Sequence, residues 1–393
     1  MRPRPASRVW DALTSLKLTI VCLSLLMVLV IACTLAQTTM GTLGAVNAYI
    51  RSFLVWWDVP GTAWRVPVAP GGGLVGLVLT VNLIAAQARR LELSWRKAGL
   101  WIVHAGLILL FAGEFVTSLF QKDMQLSIEQ GQTLNYVESP RDVELALVDV
   151  TDPAHDEVYA VPESLLARKQ GIPIPGTPVE LRVKAFYPNA ELANRGPGDP
   201  PPLANMGVGA MVSVRPMPPE ASDEAVNRRA AFVEPVAGGR SYGTWLVSNA
   251  LGAPQSFLHE GHTYTLSMRP TRRYLPYAIT LEKFSHDVYP GTDIPKNFSS
   301  LVHLSNPSRG EERDVLIYMN QPLRYDGKAF YQASYGRGDT LSILQVVSNP
   351  GWLLPYFATA LVGIGLLVHF AQSLARSLRR RQARADAAAV EVP

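Results

Sequence analysis

One histidine inside a long apolar run is the strongest candidate for chemistry in this sequence. His104 lies within the run 98–120, which reads AGLWIVHAGLILLFAGEFVTSLF. An ionisable side chain in a membrane interior costs on the order of a few kcal/mol, so it is rare without a partner or a function. Neutral imidazole is a good ligand for iron. His104 is therefore either a metal ligand or a structural histidine bonded to a neighbouring helix, for instance to Asn82.

Two further ionisable residues lie in or beside apolar runs. Glu114 follows His104 by ten residues, which is about 15 Å along a helix. It is either a counter-charge for a cationic group or an interfacial glutamate that reaches water, and we favour the second interpretation. His369 ends the last apolar run at a similar depth to His104, so it is either a flanking residue or a second ligand.

Other motifs with chemical potential are weak. The sequence HEGH at His259–His262 has a shorter spacing than the zinc-binding H-E-x-x-H pattern, and a glycine interrupts it. Trp56 and Trp57, followed by Asp58, could stack a planar ligand, but paired tryptophans more often anchor a protein at the membrane surface. The sequence contains no GxSxG, P-loop or GxGxxG pattern. A stand-alone hydrolase or nucleotide enzyme is not indicated.

The elements that position His104 are membrane spans. A bilayer core requires about 20 apolar residues per helix. The sequence predicts four such helices, at 18–37, 71–88, 98–120 and 352–370. The two cysteines, Cys22 and Cys33, both lie in the first span and are interpreted as small apolar residues. We interpret the first run as a span and not as a cleaved signal peptide, since it is long and lacks a clear cleavage site.

The distribution of basic residues predicts the orientation of the spans. Short flanks rich in lysine and arginine stay in the cytoplasm. Such flanks occur before the first span (Arg2, Arg4, Arg8, Lys17), between the second and third (Arg89, Arg90, Arg96, Lys97) and after the fourth (Arg376, Arg379, Arg380, Arg381, Arg384). We therefore expect a multi-pass protein of the bacterial inner membrane with both termini cytoplasmic. The net charge of +4 is small and does not suggest a nucleic-acid partner.

The segment 121–351 is expected to form an extracytoplasmic domain, periplasmic or extracellular. Its apolar residues alternate in short runs, which favours an antiparallel, sandwich-like β domain. The predicted strands are 143–150, 179–186, 264–269, 277–284, 314–319, 328–335 and 342–347. The Pro/Gly/Asn-rich segment 187–223 is predicted to be a surface loop. The domains are therefore 1–120 with three spans, 121–351, and 352–393 with the fourth span and a basic tail.

Four stretches make the sequence resemble the ResB (CcsB) family of cytochrome c biogenesis proteins. They are SLKLTIVCLSLLMVLVIACTLAQ, GLWIVHAGLILLFAGEF, YLPYAITLEKFSHDVYPGTDIPKNFSSLVHL, and IYMNQPLRYDGKAFYQASYG followed by NPGWLLPYFATALVGIGLLVHF. They cover both ends of the chain and about half of the outer domain. The arrangement of three spans, a large outer domain and a fourth span is also that of the family.

The resemblance implies a role in haem delivery. ResB-like proteins act with CcsA, a haem-handling membrane protein that carries a tryptophan-rich WWD segment; Trp56, Trp57 and Asp58 lie in a different context and do not take over that role. The family holds haem between one histidine from each protein and passes it to an apocytochrome c. His104 occupies the position of the ResB-side histidine. Haem propionates could then bind four cations at the inner entrance, Arg89, Arg90, Arg96 and Lys97.

Other functional classes remain open at this stage. The chain is not expected to be catalytic alone, but to be a subunit of a holocytochrome c synthase complex. The alternative is a scaffold or chaperone that binds the partner or the apocytochrome without touching haem. A generic accessory protein of a transporter is a third interpretation. An absorption spectrum of the purified complex, wild type against His104→Ala, would separate the first class from the other two.

Overall fold

The computed structural model describes residues 5–62, 64–89, 94–220, 227–291, 295–336 and 338–390. It divides into two compact units. The first is formed by residues before Lys122 and after Ser348, and the second by residues between these two positions. The α-helices are α1 (Pro5–Leu13), α2 (Leu16–Ala45), α3 (Gly72–Arg89), α4 (Ala98–Phe120), α5 (Glu163–Leu166) and α6 (Leu354–Val390). Within these residues, four helices are long and apolar enough to cross a membrane: α2 with its continuation to Ile50, α3, α4 with the preceding turn, and α6.

Two of the spans are longer than the sequence predicts. α2 has 30 residues and continues as a π-helix over Val46–Ile50, with a non-helical backbone at Gly41 (φ 71°). Glycine adopts this conformation at no steric cost, so it allows the kink. α6 has 37 residues and continues well past Phe370. The added residues are rich in alanine and arginine, which favour helix, so the helix continues into the charged tail.

Glycines spaced by seven residues join α4 to α6. A Cβ atom on Gly99 would lie 2.5 Å from the backbone nitrogen of His369, and one on Gly106 would lie 2.9 Å from the carbonyl oxygen of Ala358. Gly113 faces Leu354 in the same way. The two helices are therefore antiparallel, and their backbones approach more closely than any larger residue would allow. Small residues at such seams are typical of helix pairs in membranes.

Hydrogen bonds close both ends of this helix pair. At one end, Asn349 Nδ2 donates to Thr117 Oγ1 at 3.1 Å. At the other, Gln372 Nε2 donates to the carbonyl oxygen of Trp95 at 2.7 Å. The bonds lie at opposite ends of α4, so the pairing holds along its whole length. Because each bond joins a fixed pair of residues, the two bonds together set the register of the two helices.

The connection between α2 and α3 is a β-hairpin. Strand β1 (Leu54–Asp58) pairs antiparallel with β2 (Arg65–Pro70). Asp58 Oδ1 accepts from Arg65 Nε at 2.7 Å. Trp56 and Trp57 lie on β1 and are about half exposed, at 48% and 53%. The WWD sequence is thus part of a short hairpin.

The second unit is a β domain. Its strands are β3 (Lys122–Glu129), β4 (Thr133–Asp149), β5 (Glu157–Pro162), β6 (Gly171–Pro173), β7 (Val179–Tyr187), β8 (Ala190–Asn194), β9 (Val212–Pro216), β10 (Ala230–Ala237), β11 (Arg240–Ser241), β12 (Trp245–Ser248), β13 (Gln255–His259), β14 (His262–Val288), β15 (Pro295–Asn306), β16 (Glu311–Tyr318), β17 (Leu323–Tyr325), β18 (Lys328–Gly336) and β19 (Leu341–Ser348). The pairings between these strands are all antiparallel. The expected antiparallel β domain is confirmed.

The strands form two larger sheets around two cores. One sheet has the order β16-β15-β14-β4-β3-β19-β18-β17, with β13 on β14 and β5 on β4; the other has the order β11-β10-β7-β6, with β12 on β10. In the first core, Leu145 and Leu266 of the large sheet pack with Leu181 and Val233 of the smaller one. This part is a two-layered sandwich, as expected.

The second core lies within the large sheet, which curls until its ends meet. β16 contacts both β17 and β18. Ser300 Oγ on β15 donates to Gln332 Oε1 on β18 at 2.6 Å. Ile279, Leu304 and Phe330 are fully buried in this core.

The segment 187–223, predicted to be a surface loop, contains two strands, because β8 and β9 pair within it.

Candidate functional site

The imidazole of His104 is held by its own helix. A short 3₁₀ turn, Trp95–Lys97, leads into α4, and Ser94 Oγ accepts a hydrogen bond from the Arg96 amide at 3.3 Å. Two turns later, His104 Nδ1 lies 2.7 Å from the carbonyl oxygen of Leu100. A carbonyl oxygen only accepts, so Nδ1 carries the proton of the neutral ring. Nε2 is then the unprotonated nitrogen, and its lone pair can ligate a metal.

His104 lies on the side of α4 away from α6. Gly106, in the seam with α6, is two residues further on and therefore about 160° around the helix. Phe111, seven residues on, is only about 20° from His104, and it packs against an apolar cluster that includes Leu29 of α2 and Leu79 of α3. His104 itself is half-buried. The imidazole is therefore not enclosed by the α4/α6 seam.

Asn82 has partners other than His104. Its Nδ2 donates to the carbonyl oxygens of Leu13 at 2.6 Å and Ser15 at 3.2 Å, and its Oδ1 accepts from Thr19 Oγ1 at 2.6 Å. The Asn82 side chain is buried, so these bonds fix the start of α2 against α3. The structural alternative for His104, a bond to Asn82, is not found.

The structure does not bring His104 and His369 together. The backbone of His369 faces Gly99 across the α4/α6 seam. His104 is five residues from Gly99, about 140° around α4. The His369 ring instead packs against Phe370, with ring centroids 5.9 Å apart. A role for His369 as a second ligand stays a prediction that this geometry does not support.

The four cations expected at the inner entrance differ in their surroundings. Arg89 Nη1 donates to Thr14 Oγ1 and pairs with Asp11 Oδ1, both at 2.6 Å. This arginine is therefore engaged in joining α3 to the N-terminal helix. Arg96 and Lys97 are exposed on the turn before α4. Arg90 lies outside the described residues.

Glu114 and the HEGH sequence have no metal-binding geometry in the described residues. Glu114 is exposed, as an interfacial residue would be. Glu260 and Gly261 have positive φ angles of 48° and 87° and form a two-residue hairpin turn between β13 and β14. His259 Nδ1 lies 2.6 Å from Tyr242 Oη, whereas His262 Nδ1 bonds to Asp149. HEGH is therefore a turn whose two histidines have separate partners.

One polar cluster was not predicted from the sequence. Glu282, His303 and Asp314 lie on three neighbouring strands, with ligand atoms within 4.8 Å of one another. His303 Nδ1 is 2.6 Å from Asp314 and Nε2 is 2.8 Å from Glu312, and these carboxylates raise the pKa of His303. An imidazole that donates from both nitrogens is protonated and has no lone pair for a metal. Spacing along the chain could not show a cluster assembled by strand pairing.

Comparison with known proteins finds one family match, and it lies in the β domain. Residues 239–348 match the model of the ResB-like family. Protein NrfI of Wolinella succinogenes is 34% identical over 102 residues, 26% of this chain. Cytochrome c biogenesis protein CcsB of Picosynechococcus sp. is 34% identical over 80 residues, 20% of this chain. The matches span 11% and 17% of the lengths of these relatives. The resemblance to the ResB family is confirmed, and the residues that match the family model do not include α4.

Proposed function

We propose that this ResB-like protein takes part in cytochrome c maturation as a membrane subunit that helps to carry haem across the bilayer. With a partner of the CcsA type, it presents haem for covalent attachment to apocytochrome c. The ResB-like match and the name of the CcsB relative support a cytochrome c biogenesis role. The helices that could span a membrane support a membrane location.

The observation that carries the haem role is the hydrogen bond of His104. The carbonyl oxygen of Leu100 holds the imidazole by Nδ1 at 2.7 Å, which directs the lone pair to Nε2. A ring oriented in this way loses little conformational freedom when Nε2 binds iron. Haem is apolar apart from its propionates, so the apolar face of α4 beside His104, where Leu100 is 45% exposed, suits its ring.

The site is proposed to be completed by the partner. In membrane cytochromes and similar proteins, haem iron takes axial ligands from side chains such as histidine. His104 supplies one imidazole, on a face of α4 that α6 does not cover, and the second ligand would come from the partner. Arg96 and Lys97, exposed before α4, are the cations best placed to receive propionates as charge-assisted hydrogen bonds.

The proposed orientation follows from the basic flanks. We place both termini in the cytoplasm of a bacterium and the β domain outside the inner membrane, since lysine and arginine favour the cytoplasmic side. Haem would then meet Arg96 and Lys97 first and His104 next. Cysteine-accessibility labelling of single cysteines introduced at Ser308 and Ser377 tests this orientation, because the two positions should react from opposite sides.

The test of the haem role is the absorption spectrum of the protein purified together with its CcsA-type partner. His104→Ala should remove or strongly weaken the haem Soret band and stop cytochrome c maturation. His155→Ala is the matched control, because this histidine is in the β domain and its side chain is 66% exposed. Imidazole added to a His104→Gly variant should restore the band. Haem content unchanged in His104→Ala would exclude the ligand assignment.

The same preparation separates haem delivery from a scaffold role. A scaffold keeps its partner and loses nothing in His104→Ala, whereas deletions in the β domain abolish maturation. Haem delivery also predicts that the partner co-purifies with His104→Ala. It differs in that the haem is lost and maturation stops. The amount of partner recovered therefore serves as the control for folding in each variant.

A further inference from the structure

A cavity of about 480 Å³ lies in the β domain, where the large sheet is incompletely paired. β3 and β4 share only one register pair, Gln125 with Glu138. β14 leaves the register of β4 at the same place: Tyr274 faces Tyr136, and the next pair is Ile279 with Leu134. Four residues of β14 therefore oppose the single residue Asn135. Bulges of this kind redirect side chains and are frequent beside binding sites.

The walls of the cavity are apolar and belong to the core. Met124, Val137, Leu275 and Val346 line it, and each has less than a tenth of its surface exposed. Met124 and Val346 are register partners on β3 and β19, so they form one wall. Leu275 comes from the bulge of β14 and Val137 from β4. The volume and the apolar lining are typical of a site for a small molecule.

Three cations line the same cavity: Lys122, Arg273 and Lys328. Lys122 and Lys328 are both register partners of Ser348, on strands to either side of it. Two strand spacings separate their backbones, which is about 10 Å. Lys328 Nζ pairs with Asp326 at 3.2 Å. Across the described residues, neither Lys122 nor Arg273 has an ion-pair partner.

We propose that this cavity binds a compact apolar molecule that carries carboxylate groups. The buried walls accept an apolar body, and cations carried on strands two spacings apart accept separate carboxylates in charge-assisted hydrogen bonds. A phospholipid fits less well, because its acyl chains are longer than a cavity of about 480 Å³ and its charge is gathered in one head group. A dicarboxylic tetrapyrrole has the required chemistry, and that identification rests on the proposed haem role.

The test uses the full-length protein in a neutral detergent and the metal-free porphyrin mesoporphyrin IX as the probe. This probe has two carboxylates and no iron, so it does not depend on His104 as a ligand. Failure here is therefore distinguishable from failure of the haem role. The dissociation constant is measured by probe fluorescence for the wild type and for the combined variant Lys122→Gln, Arg273→Gln, Lys328→Gln. We expect binding at least about tenfold weaker in the variant.

A second triple variant controls for net charge. Arg228→Gln, Lys283→Gln and Lys296→Gln remove three exposed cations that do not line the cavity. This variant should bind the probe like the wild type. The dimethyl ester of mesoporphyrin, which lacks the carboxylates, should bind the wild type and the cavity variant equally. Circular dichroism checks folding, and Arg273→Gln alone, at an exposed position, is used if the triple variant unfolds.

Three results would overturn the proposal. The first is equal affinity of the probe for the wild type and the cavity variant. The second is a loss of affinity for the dimethyl ester, from the wild type to the cavity variant, that is as large as the loss for the acid. The carboxylates would then play no part in binding. The third is displacement of the probe by phosphatidylglycerol but not by phosphatidylcholine, which would make the cavity a site for anionic lipid.

Discussion

Tyr277 and Tyr325 meet edge to face in the core of the large sheet, with 4.8 Å between their ring centroids, but only one hydroxyl is bonded. Tyr325 Oη accepts from Asn306 Nδ2 at 2.7 Å and donates to Glu311 Oε2 at 2.8 Å. Tyr277 Oη is buried and, within the described part of the chain, has no partner. Burial also raises the pKa of Tyr277.

This difference predicts opposite effects of the same substitution. Tyr277→Phe removes a hydroxyl that folding deprives of water, so the free energy of unfolding should stay the same or rise by up to about 1 kcal/mol. Tyr325→Phe leaves Asn306 and Glu311 without their partner and should cost about 1–3 kcal/mol. Urea denaturation of both variants measures the difference. A loss in Tyr277→Phe as large as that in Tyr325→Phe would contradict the structure.

The glycine seam between α4 and α6 gives a second prediction. A Cβ atom on Gly365 would lie 2.6 Å from the backbone nitrogen of Val103, so Gly365→Ala should force the helices apart. Overpacking of this kind costs about 1–3 kcal/mol. Gly363, on the same helix, has nothing within 4 Å of its Cβ position, and Gly363→Ala should be neutral or slightly stabilising. Thermal unfolding in detergent should separate the two variants, and equal melting temperatures would argue against the seam.

A buried ion pair in the β domain gives a third prediction. Arg269 Nε donates to Glu144 Oε1 at 3.0 Å, and the side chains are 15% and 5% exposed. Arg269→Ala leaves a buried carboxylate unpaired, which should cost about 3–5 kcal/mol. Replacing both residues, by Arg269→Met and Glu144→Leu, should restore most of this stability.

An exposed pair is the control for that experiment. Arg182 Nη2 pairs with Glu180 at 3.3 Å, with side chains 51% and 39% exposed. Arg182→Ala should change the free energy of unfolding by less than about 1 kcal/mol. Comparable losses for Arg269→Ala and Arg182→Ala in urea would show that Glu144 is not buried as described.

The fourth prediction concerns the charge state of His303. The hydrogen bond that the ring donates to Asp314, and after it the one to Glu312, raises the pKa of this imidazole above its usual 6.5. A raised pKa in the folded protein means that the protonated ring stabilises the fold at pH below 6.5. This contribution is lost as the pH rises through the folded-state pKa.

Nuclear magnetic resonance can follow the His303 ring directly. Asp314→Asn should lower its pKa, because the largest cause of the shift is removed. Asp339→Asn is the control, since Asp339 Oδ2 pairs with His286 at 3.2 Å and not with His303. A His303 titration that is the same in wild type and Asp314→Asn would exclude the hydrogen-bonded cluster.

The sequence predicted the elements better than their connections. Each run with alternating apolar residues is a strand, because successive side chains of a strand point to opposite faces. The runs 264–269 and 277–284 are nevertheless one strand, β14, with bulges near Pro270 and Pro276. Prolines usually end strands, and only the pairing with β4 on both sides shows that this chain continues.

For the candidate site too, the sequence predicted the helix and its histidine but not their contacts. Hydropathy identified His104 as a buried ionisable residue, and the length of α4 agrees with the predicted span. The bond to Leu100 depends on a rotamer, and the cavity depends on strands that are far apart in sequence, so neither could be predicted. The spacing of Gly99, Gly106 and Gly113 was readable in the sequence, but only the structure shows that α6 is their partner.

The closure of α4 on α6 has a consequence for the chain as a whole. The bond of Asn349 to Thr117 holds the N-terminal end of α6 against the C-terminal end of α4, and Lys122 and Ser348 are register partners at the two ends of the β domain. The domain is topologically an insert in the turn of a helical hairpin. Its length and sequence can therefore change between two neighbouring splice points, and an excised or exchanged domain leaves the register of the hairpin intact.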